Sequence, residues 1–237
     1  MTQITAIADI HGNGPALDAV LAQPEVQDSD YIYCAGDIIG ILGFNDTVVE
    51  TVRDECREVV YGNHDARVLP THAYAPNFPA AQDEMEITTS QLGEAHIEYL
   101  SRLPERISKP RFVLAHARPF FFRDPGYPLD GFAQGDRGMG PKEFTRIGPH
   151  LDGRTAIIGH THEQHAVNCD RFEGQSGLVV NPGSVGVPWF SEAQYATIDL
   201  DTQEYSLHSV EFDNDAVEER LTELGHPPGK YDDNRRL

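Results

Sequence analysis

The sequence has few cysteines and no long apolar segment. Its three cysteines, Cys34, Cys56 and Cys169, lie far apart and form no Cys-x-x-Cys pair. This spacing argues against a disulfide framework or a thiolate zinc site and favours a reducing compartment. No apolar run approaches the ~18 residues of a membrane span, and the first residues lack the basic region of a signal peptide. We therefore expect a cytoplasmic protein that has no membrane partner.

Positive charge is also scarce. The chain carries 18 basic and 38 acidic side chains, a formal net charge of −20, and only Lys109, Lys142 and Lys230 are lysines. Such a surface repels polyphosphate backbones, so binding to long nucleic acid is not expected, and a phosphate-bearing substrate needs local positive charge. Because concentrated salt screens self-repulsion, the composition favours a halophilic origin over an ordinary acidic cytoplasmic protein.

The chain nevertheless has enough apolar residues for a large core. They make up 39% of its 237 residues, and the 21 glycines and 16 prolines are spread without a period. This composition excludes a collagen, a coiled coil and a wholly disordered chain. No segment reads as a linker between independent units, so residues 1–237 are interpreted as a single domain. The oligomeric state is left open.

The first 65 residues repeat a short apolar run, a turn with glycine and polar groups, and a helical stretch. The apolar runs comprise residues 4–8, 31–35 and 59–61. One helix begins at Pro15, and a second, capped by Asn45 or Asp46, extends to Cys56. This alternation indicates a parallel sheet with right-handed crossovers. Ligands of such sheets bind beyond the carboxyl ends of the strands, where the polar clusters of this sequence lie.

The rest of the chain predicts further strands and two long loops. Residues 70–83 predict an exposed loop, and residues 117–140 predict a functional loop or lid, or a loop that its aromatic residues merely anchor. Between them, Thr88 and Gln91 suggest a capping box for a helix that ends before Pro104. The remaining predicted elements are strands 111–115, 155–158 and 178–180, a hairpin of 196–200 with 204–210, and a helix over 216–224. An α/β fold of two face-to-face sheets with helices outside fits this order best.

Seven side chains that can donate oxygen or nitrogen to a metal follow the predicted strands: Asp9, His11, Asp37, Asn63, His116, His160 and His162. In extended chain, the i and i+2 spacing of Asp9 with His11 puts both side chains on one side. Carboxylate, imidazole and amide donors without thiolate suit Mn²⁺, Fe, Zn²⁺, Co²⁺ or Ni²⁺. Seven donors exceed the four of a structural zinc site and suit two ions. Each motif alone could be a turn or a cap, but five motifs in order, each behind an apolar strand, are hard to dismiss.

These motifs resemble the five signature blocks of the calcineurin-like metallophosphoesterase superfamily. The blocks are Asp9-x-His11, Gly36-Asp37, Gly62-Asn63-His64-Asp65, His116 and Gly159-His160-Thr161-His162. Other segments, including residues 181–186, resemble a prokaryotic, phosphodiesterase-like branch of this superfamily. With the acidic composition, this resemblance indicates a haloarchaeal source. The resemblance covers nearly the whole chain. It implies a metallo-dependent phosphatase-like fold, a four-layer α/β/β/α sandwich of two packed mixed sheets.

The resemblance also implies a role for each motif residue. Asp9, His11 and His162 would hold the first metal ion, and Asn63, His116 and His160 the second, while Asp37 bridges both. His64 would bind phosphate and protonate the departing oxygen, with Asp65 orienting its ring. Asn63 would face the substrate as well. Arg67 and Arg118, close to the motifs in sequence, are either phosphate contacts or solvated surface residues. Residues 181–184 would form a turn that supports the metal loops or the substrate.

The function expected from these features is hydrolysis of phosphodiester, including nucleotide, bonds by a hydroxide that bridges two divalent ions. No arginine cluster for a dianionic monoester is evident, so a phosphomonoester or a dinucleoside polyphosphate is the alternative substrate. The second block lacks an Asp-Arg-Gly extension and the third ends in Asp65 instead of Glu, which disfavours a phosphoprotein phosphatase. A non-catalytic interaction scaffold is the alternative from another class, against which the intact donor set argues.

Overall fold

The computed structural model describes residues 1–69, 79–117, 148–171, 174, 176–187 and 192–225. The predictions for Arg118 and for the segment that follows Ala117 lie outside the described residues. The same holds for residues 70–78 of the loop expected at 70–83. From residue 79 onward that expectation is wrong, because a helix begins there at Pro79.

Ten strands of the described chain form two five-stranded sheets. Sheet A contains β1 (Gln3–Ile7), β2 (Tyr31–Cys34), β3 (Cys56–Val59), β9 (Ala193–Asp199) and β10 (Tyr205–Val210). Sheet B contains β4 (Arg106–Ser108), β5 (Phe112–Ala115), β6 (Thr155–Ile157), β7 (His165–Asn168) and β8 (Leu178–Asn181). The strand orders are β10-β9-β1-β2-β3 and β4-β5-β6-β8-β7.

Each sheet has a parallel core with antiparallel strands beside it. Strands β1, β2 and β3 are parallel in sheet A, and β5, β6 and β8 are parallel in sheet B. Strands β9, β10, β4 and β7 pair antiparallel, and β9 with β10 forms the predicted hairpin. Because parallel strands end at the same edge of a sheet, each core delivers three loops to one end of the molecule.

Seven α-helices accompany the sheets, besides a helical turn at 148–151 and a 3₁₀ helix at Cys169–Arg171. They are α1 (Gly14–Leu21), α2 (Pro24–Gln27), α3 (Asn45–Glu55), α4 (Asn63–Arg67), α5 (Pro79–Ser90), α6 (Glu94–Arg102) and α7 (Asn214–Glu223). Asn13 caps α1, where its Oδ1 accepts from the Ala16 N–H at 3.0 Å, and Asp213 caps α7 in the same way. Within the described part of the chain, every helix is too short or too polar to cross a membrane.

The core is divided into layers by the two sheets. Between the sheets, Ile4 and Ala6 of sheet A pack with Leu114, Ile157 and Val180 of sheet B. The other face of sheet A is covered by apolar residues of α1, α3 and α6. Outside sheet B, a helical turn at 148–151 places Leu151 against β6 and β8. The predicted α/β fold of two packed mixed sheets with helices outside is therefore confirmed.

Local predictions failed where a polar side chain has a tertiary partner. Asn45 does not cap α3, because its side-chain amide exchanges two hydrogen bonds of 2.8 Å with the backbone of Gly40. Thr88 lies inside α5 and donates to Gly40 O, while Gln91 Oε1 accepts from the amide of Asn45, so the two residues form no capping box. Cys56 begins β3 instead of ending α3, because it pairs with β2.

Strands β4 and β7 were not predicted, and both are antiparallel neighbours of a core strand. They contain three and four residues with little burial. Such short segments carry almost no periodic signal, and the strand next to them supplies the hydrogen bonds that define them.

Truncation of a side chain between the sheets tests this packing. Leu114 is fully buried, so Leu114→Ala is expected to lower the free energy of unfolding by about 2–5 kcal/mol. Leu207, on the edge strand β10, is 38% exposed, and Leu207→Ala should cost about 1 kcal/mol or less. Urea unfolding at constant m-value measures both. Equal losses in the two variants would contradict the assignment of the inter-sheet core.

Candidate metal centre

The loops after the parallel strands bring all seven predicted donor side chains to one end of the sandwich. Asp9 and His11 follow β1, Asp37 follows β2, and Asn63 follows β3 as the first residue of α4. From sheet B, His116 follows β5, and His160 and His162 follow β6. The site therefore requires both sheets, and neither sheet alone contains a complete donor set.

Five of these donor residues have a left-handed backbone. The φ angles are 55° for Asp9, 50° for His11, 51° for Asp37, 72° for His160 and 57° for His162. Residues other than glycine rarely adopt this region, and where they do the strain often marks a functional site. The expectation that Asp9 and His11 share one side of an extended chain is therefore wrong. The chain turns at these five donors instead.

Backbone hydrogen bonds hold the first two loops together. The Asp9 N–H donates to Gly36 O at 3.0 Å, and the N–H groups of Ile10 and His11 both donate to Asp37 O at 2.8 and 3.0 Å. The turns that carry Asp9, His11 and Asp37 are therefore fixed relative to one another before any ligand binds.

Two groups of donor atoms lie side by side, each with its atoms within 4.8 Å of one another: Asp9, His11 and His162, and Asp37, His116 and His160. In the first group His11 Nε2 is 3.1 Å from His162 Nε2. Next to the second group, Asn63 Oδ1 is 3.1 Å from His116 Nε2 and 2.9 Å from His160 Nδ1. The Asp37 carboxylate approaches both groups, since its Oδ2 is 3.3 Å from His116 Nε2 and 3.8 Å from His11 Nε2.

The hydrogen bonding of His116 fits a metal ligand. Its Nδ1–H donates to Ala35 O at 2.8 Å, and the carbonyl can only accept, so the proton of the neutral ring is on Nδ1. Nε2 lies 3.3 Å from Asp37 Oδ2 and 3.1 Å from Asn63 Oδ1. While it carries a proton it donates to these oxygens, and once neutral it presents its lone pair to a cation between them. A backbone carbonyl that fixes the tautomer in this way is the usual partner of a metal-binding histidine. Carboxylate, imidazole and amide donors together fit a borderline divalent cation.

Burial and mutual charge set the electrostatics of the cluster. Burial raises the pKa of Asp9 to about 8. Burial also acts to raise the pKa of Asp37, but its electrostatic interactions with His116 and His64 hold it well below its usual value. For His116, burial opposes protonation, yet the Asp37 carboxylate and its hydrogen bond raise the pKa to about 9. The cluster thus balances buried carboxylates with positive charge, a requirement that divalent cations would also meet.

His64, the second residue of α4, lies beside both donor groups. Its backbone N–H donates to Asp37 Oδ1 at 2.7 Å, and its ring meets the His11 ring edge-on with centroids 4.5 Å apart. A ring nitrogen of His64 forms a third group of close donor atoms with His11 and Asp37. Burial lowers the pKa of His64 to about 3. The ring is therefore placed to meet a ligand bound between the donors.

Asp65 does not orient the His64 ring, contrary to the prediction from the resemblance. Its Oδ1 accepts from the N–H groups of Ile38 at 3.0 Å and Ile39 at 3.1 Å, and its Oδ2 accepts from the Gly62 N–H at 2.8 Å. As the third residue of α4, Asp65 turns its carboxylate back to the residue before the helix. It is fully buried and ties the loop that carries Asp37 to the loop that carries Asn63.

The turn after β8 supports the metal loops, one of the two roles expected for it. Ser184 Oγ donates to Asp9 O at 2.7 Å, and the Gly186 N–H donates to the same carbonyl at 3.0 Å. Asn181 Nδ2 donates to Gly159 O and to Thr161 Oγ1, both at 3.0 Å. A Cβ on Gly186 would meet Ile10 O at 1.8 Å, so only glycine allows this approach.

Sequence reasoning left the place of Arg67 undecided. Its Nη1 lies 3.3 Å from His64 Nδ1 on the same helix, and the side chain is half-buried. The signal was available, because Asp65 three residues after Gly62 is a helix-start pattern, and a helix there puts Arg67 one turn from His64. The other described histidines, His96, His150, His165 and His208, belong to none of the donor groups.

Asp65→Asn tests the backbone role of Asp65. The amide places an NH₂ group against a backbone N–H, so at least one buried donor loses its acceptor, which costs about 1–3 kcal/mol. We expect lower stability together with weaker metal binding, measured by urea unfolding and by calorimetric titration with Mn²⁺. If Asp65→Asn changes turnover but neither stability nor metal affinity, Asp65 acts on the substrate side after all.

Known proteins resemble this chain in sequence and in fold. The family model for calcineurin-like phosphoesterases matches residues 2–164. A protein of uncharacterised function from Methanocaldococcus jannaschii is 28% identical in an alignment that covers 93% of this chain and 92% of that protein. The crystal structure of a metallophosphoesterase from Sphaerobacter thermophilus matches with a TM-score of 0.76 and 26% identity over 96% of this chain and 95% of that one.

A crystal structure from Pyrococcus horikoshii OT3 matches with a TM-score of 0.74 and 20% identity, covering 96% of this chain and 95% of that one, and shows the same fold. The family match spans more than half of the chain and includes the loops that carry Asp9, Asp37, Asn63, His116 and His160. This chain therefore belongs to the calcineurin-like phosphoesterase family, a family of phosphoric ester hydrolases.

Proposed function

We propose that this protein hydrolyses phosphodiester bonds in small phosphate esters or nucleotides and uses two divalent metal ions. The observation that supports this proposal is the pair of adjacent donor groups, with the Asp37 carboxylate within 3.8 Å of a histidine nitrogen in each. One metal site would require only one such group. Two groups that share a carboxylate match the arrangement of two-metal hydrolases.

The donors divide between the two ions by proximity. Asp9, His11 and His162 would hold one ion, Asn63, His116 and His160 would hold the other, and Asp37 would contact both. When bound, such a pair of ions lowers the pKa of a shared water and neutralises charge on phosphoryl oxygens. Mn, Fe, Zn, Co and Ni are all compatible with this donor set.

His64 is the residue of this chain proposed to act on the substrate, together with Asn63. The Asp37 carboxylate fixes the backbone of His64, which places the ring next to the donor groups. An anionic phosphoryl group beside the ring favours its protonated form and raises its pKa from the low value that burial gives. The ring can then donate a hydrogen bond to a phosphoryl oxygen and a proton to the departing oxygen.

Charge supports a diester of modest size as the substrate. In the described part of the chain, the arginine next to the donor groups is Arg67, and its guanidinium contacts His64. A dianionic monoester usually requires more positive charge than that, whereas a monoanionic diester requires less. The net charge of −20 opposes binding of long nucleic acid. We further propose a cytoplasmic, salt-adapted enzyme, because the same acidic surface is best tolerated in concentrated salt.

A substrate screen tests the activity and the substrate class. The metal-free full chain is loaded with Mn²⁺, Ni²⁺, Co²⁺ or Zn²⁺ and given bis(p-nitrophenyl) phosphate, p-nitrophenyl phosphate or a dinucleoside polyphosphate, at molar and at low salt. We expect metal-dependent cleavage with the highest kcat/KM on the diester, by about tenfold or more. A preference for the monoester or the polyphosphate selects that alternative. No cleavage with any metal identifies a non-catalytic scaffold, and full activity at low salt contradicts salt adaptation.

Two substitutions separate metal binding from action on the substrate. Asp37→Ala is expected to lose metal and activity together, because both donor groups lose their shared carboxylate. His64→Ala should keep the metal content and lower kcat by about a hundredfold or more, since it removes a proton and hydrogen-bond donor. Metal content by mass spectrometry and steady-state kinetics measure both, with His150→Ala as a control at a histidine outside the donor groups. Loss of metal from His64→Ala with unchanged activity per bound metal would contradict this division.

A further inference from the structure

The two ring nitrogens of His64 have one hydrogen-bond partner among the described residues, Nη1 of Arg67 at 3.3 Å from Nδ1. We propose that Arg67 is a positioning residue, which fixes the orientation and tautomer of the His64 ring so that its Nε2–H is directed at the phosphoryl group. This inference rests on the proposed function, in which His64 contacts the substrate.

The chemistry of the contact determines the position of the proton. A guanidinium group has only donors, so it can hydrogen-bond His64 Nδ1 only if that nitrogen accepts. In the ligand-free protein, a neutral imidazole that accepts at Nδ1 carries its proton on Nε2. When a bound phosphoryl group favours the protonated ring, the second proton is taken up at Nδ1 and replaces this contact. The helix supplies the geometry, because residues three apart on α4 lie on the same side. Arg67 thus fixes the tautomer of His64, as the Ala35 carbonyl fixes the tautomer of His116. The two tautomers are opposite, because the guanidinium donates whereas the carbonyl accepts.

Other contacts leave the His64 ring little freedom. Its backbone N–H is held by Asp37 Oδ1 at 2.7 Å, and the ring of His11 packs against it edge-on. His64 and Arg67 also line a partly open cavity, together with Ile39, Val68 and Met85. Rotation about χ2 would turn the ring over, and the Arg67 contact opposes this rotation.

Asp65 cannot substitute for Arg67 in this role. Both oxygens of the Asp65 carboxylate accept from backbone N–H groups, at 2.8 to 3.1 Å. A carboxylate partner would also select the Nδ1–H tautomer, since a carboxylate can only accept. An arginine partner and a carboxylate partner thus predict opposite tautomers, which makes the proposal testable by spectroscopy.

The first test determines the tautomer in the metal-free full chain. Long-range ¹H–¹⁵N correlation spectra identify the protonated ring nitrogen, and His64→Ala assigns the signals of His64. We expect the Nε2–H form in the wild type, retention of that form in Arg67→Lys, which keeps a donor, and a detectable share of the Nδ1–H form in Arg67→Met. The Nδ1–H form in the wild type, or identical spectra for wild type and Arg67→Met, would overturn the proposal. The spectra also report whether each variant is folded.

The second test is kinetic and separates positioning from direct contact with phosphate. We expect Arg67→Met to lower kcat by about tenfold with little change in KM, and Arg67→Lys to restore most of the loss. In a His64→Ala background, Arg67→Met should lower kcat by no more than about twofold, because a residue that acts through His64 has nothing left to position. Arg53→Met, at an exposed arginine of α3 that pairs with Asp54, is the matched control.

Each kinetic outcome decides between two roles for Arg67. A raised KM, with losses that multiply in the double variant, means that Arg67 binds the substrate itself and overturns the positioning role. If the wild type cleaves no ester with any metal, the proposed function fails. The spectra then still determine whether Arg67 sets the tautomer of His64, so the two failures are distinguishable.

Discussion

The hydrogen bond from His116 Nδ1 to Ala35 O, at 2.8 Å, joins the two sheets at the edge where both supply donors. His116 follows β5 of sheet B, and Ala35 follows β2 of sheet A, directly before the Gly36-Asp37 turn. The bond therefore fixes the position of His116 relative to the Asp37 turn and the tautomer of the His116 ring at the same time. It can form only because Tyr33, Ala35, Leu114 and their neighbours pack the sheets face to face. The apolar core between the sheets thus determines the geometry of a polar site at its end.

A cluster of buried carboxylates and imidazoles is costly, and its support is almost entirely backbone. The carbonyls of Gly36 and Asp37 and the turn at Ser184 hold donor residues whose backbone is left-handed. This support requires close approach of chain to chain. A Cβ on Gly62 would lie 2.1 Å from Asp37 Oδ1, and one on Gly159 would lie 2.8 Å from Asp9 Oδ2. Gly62 and Gly159, each directly before a donor motif, are therefore part of the site, since each makes room for the carboxylate of another loop.

The sequence was sufficient for the parallel core strands and for the donor set, because both leave strong local signals. An apolar run followed by Asp, Asn or His at its end marks β1, β2 and β5 without knowledge of the fold. The partners of polar side chains were not predictable in the same way. Asn45, Thr88 and Gln91 each have the residue type of a cap, but they bond to Gly40 or to one another across the fold. Likewise the resemblance assigned Asp65 to the His64 ring, whereas its partners are three backbone N–H groups, two of them in a different loop. The local sequence does not distinguish a capping bond from a bond to a distant loop, since both satisfy the same side-chain group.

Helix α4 combines these principles in a single turn of chain. Asn63 gives a donor oxygen to the second group, the His64 N–H holds the shared carboxylate, Asp65 anchors the neighbouring loop, and Arg67 holds the His64 ring. Four of its five residues thus face four different partners, which the 100° rotation per residue of a helix allows and an extended strand does not. The consequence is that metal binding, loop position and ring orientation are mechanically coupled. A change that shifts the start of α4 alters all three together, whereas a change at Arg67 acts on the orientation of the His64 ring.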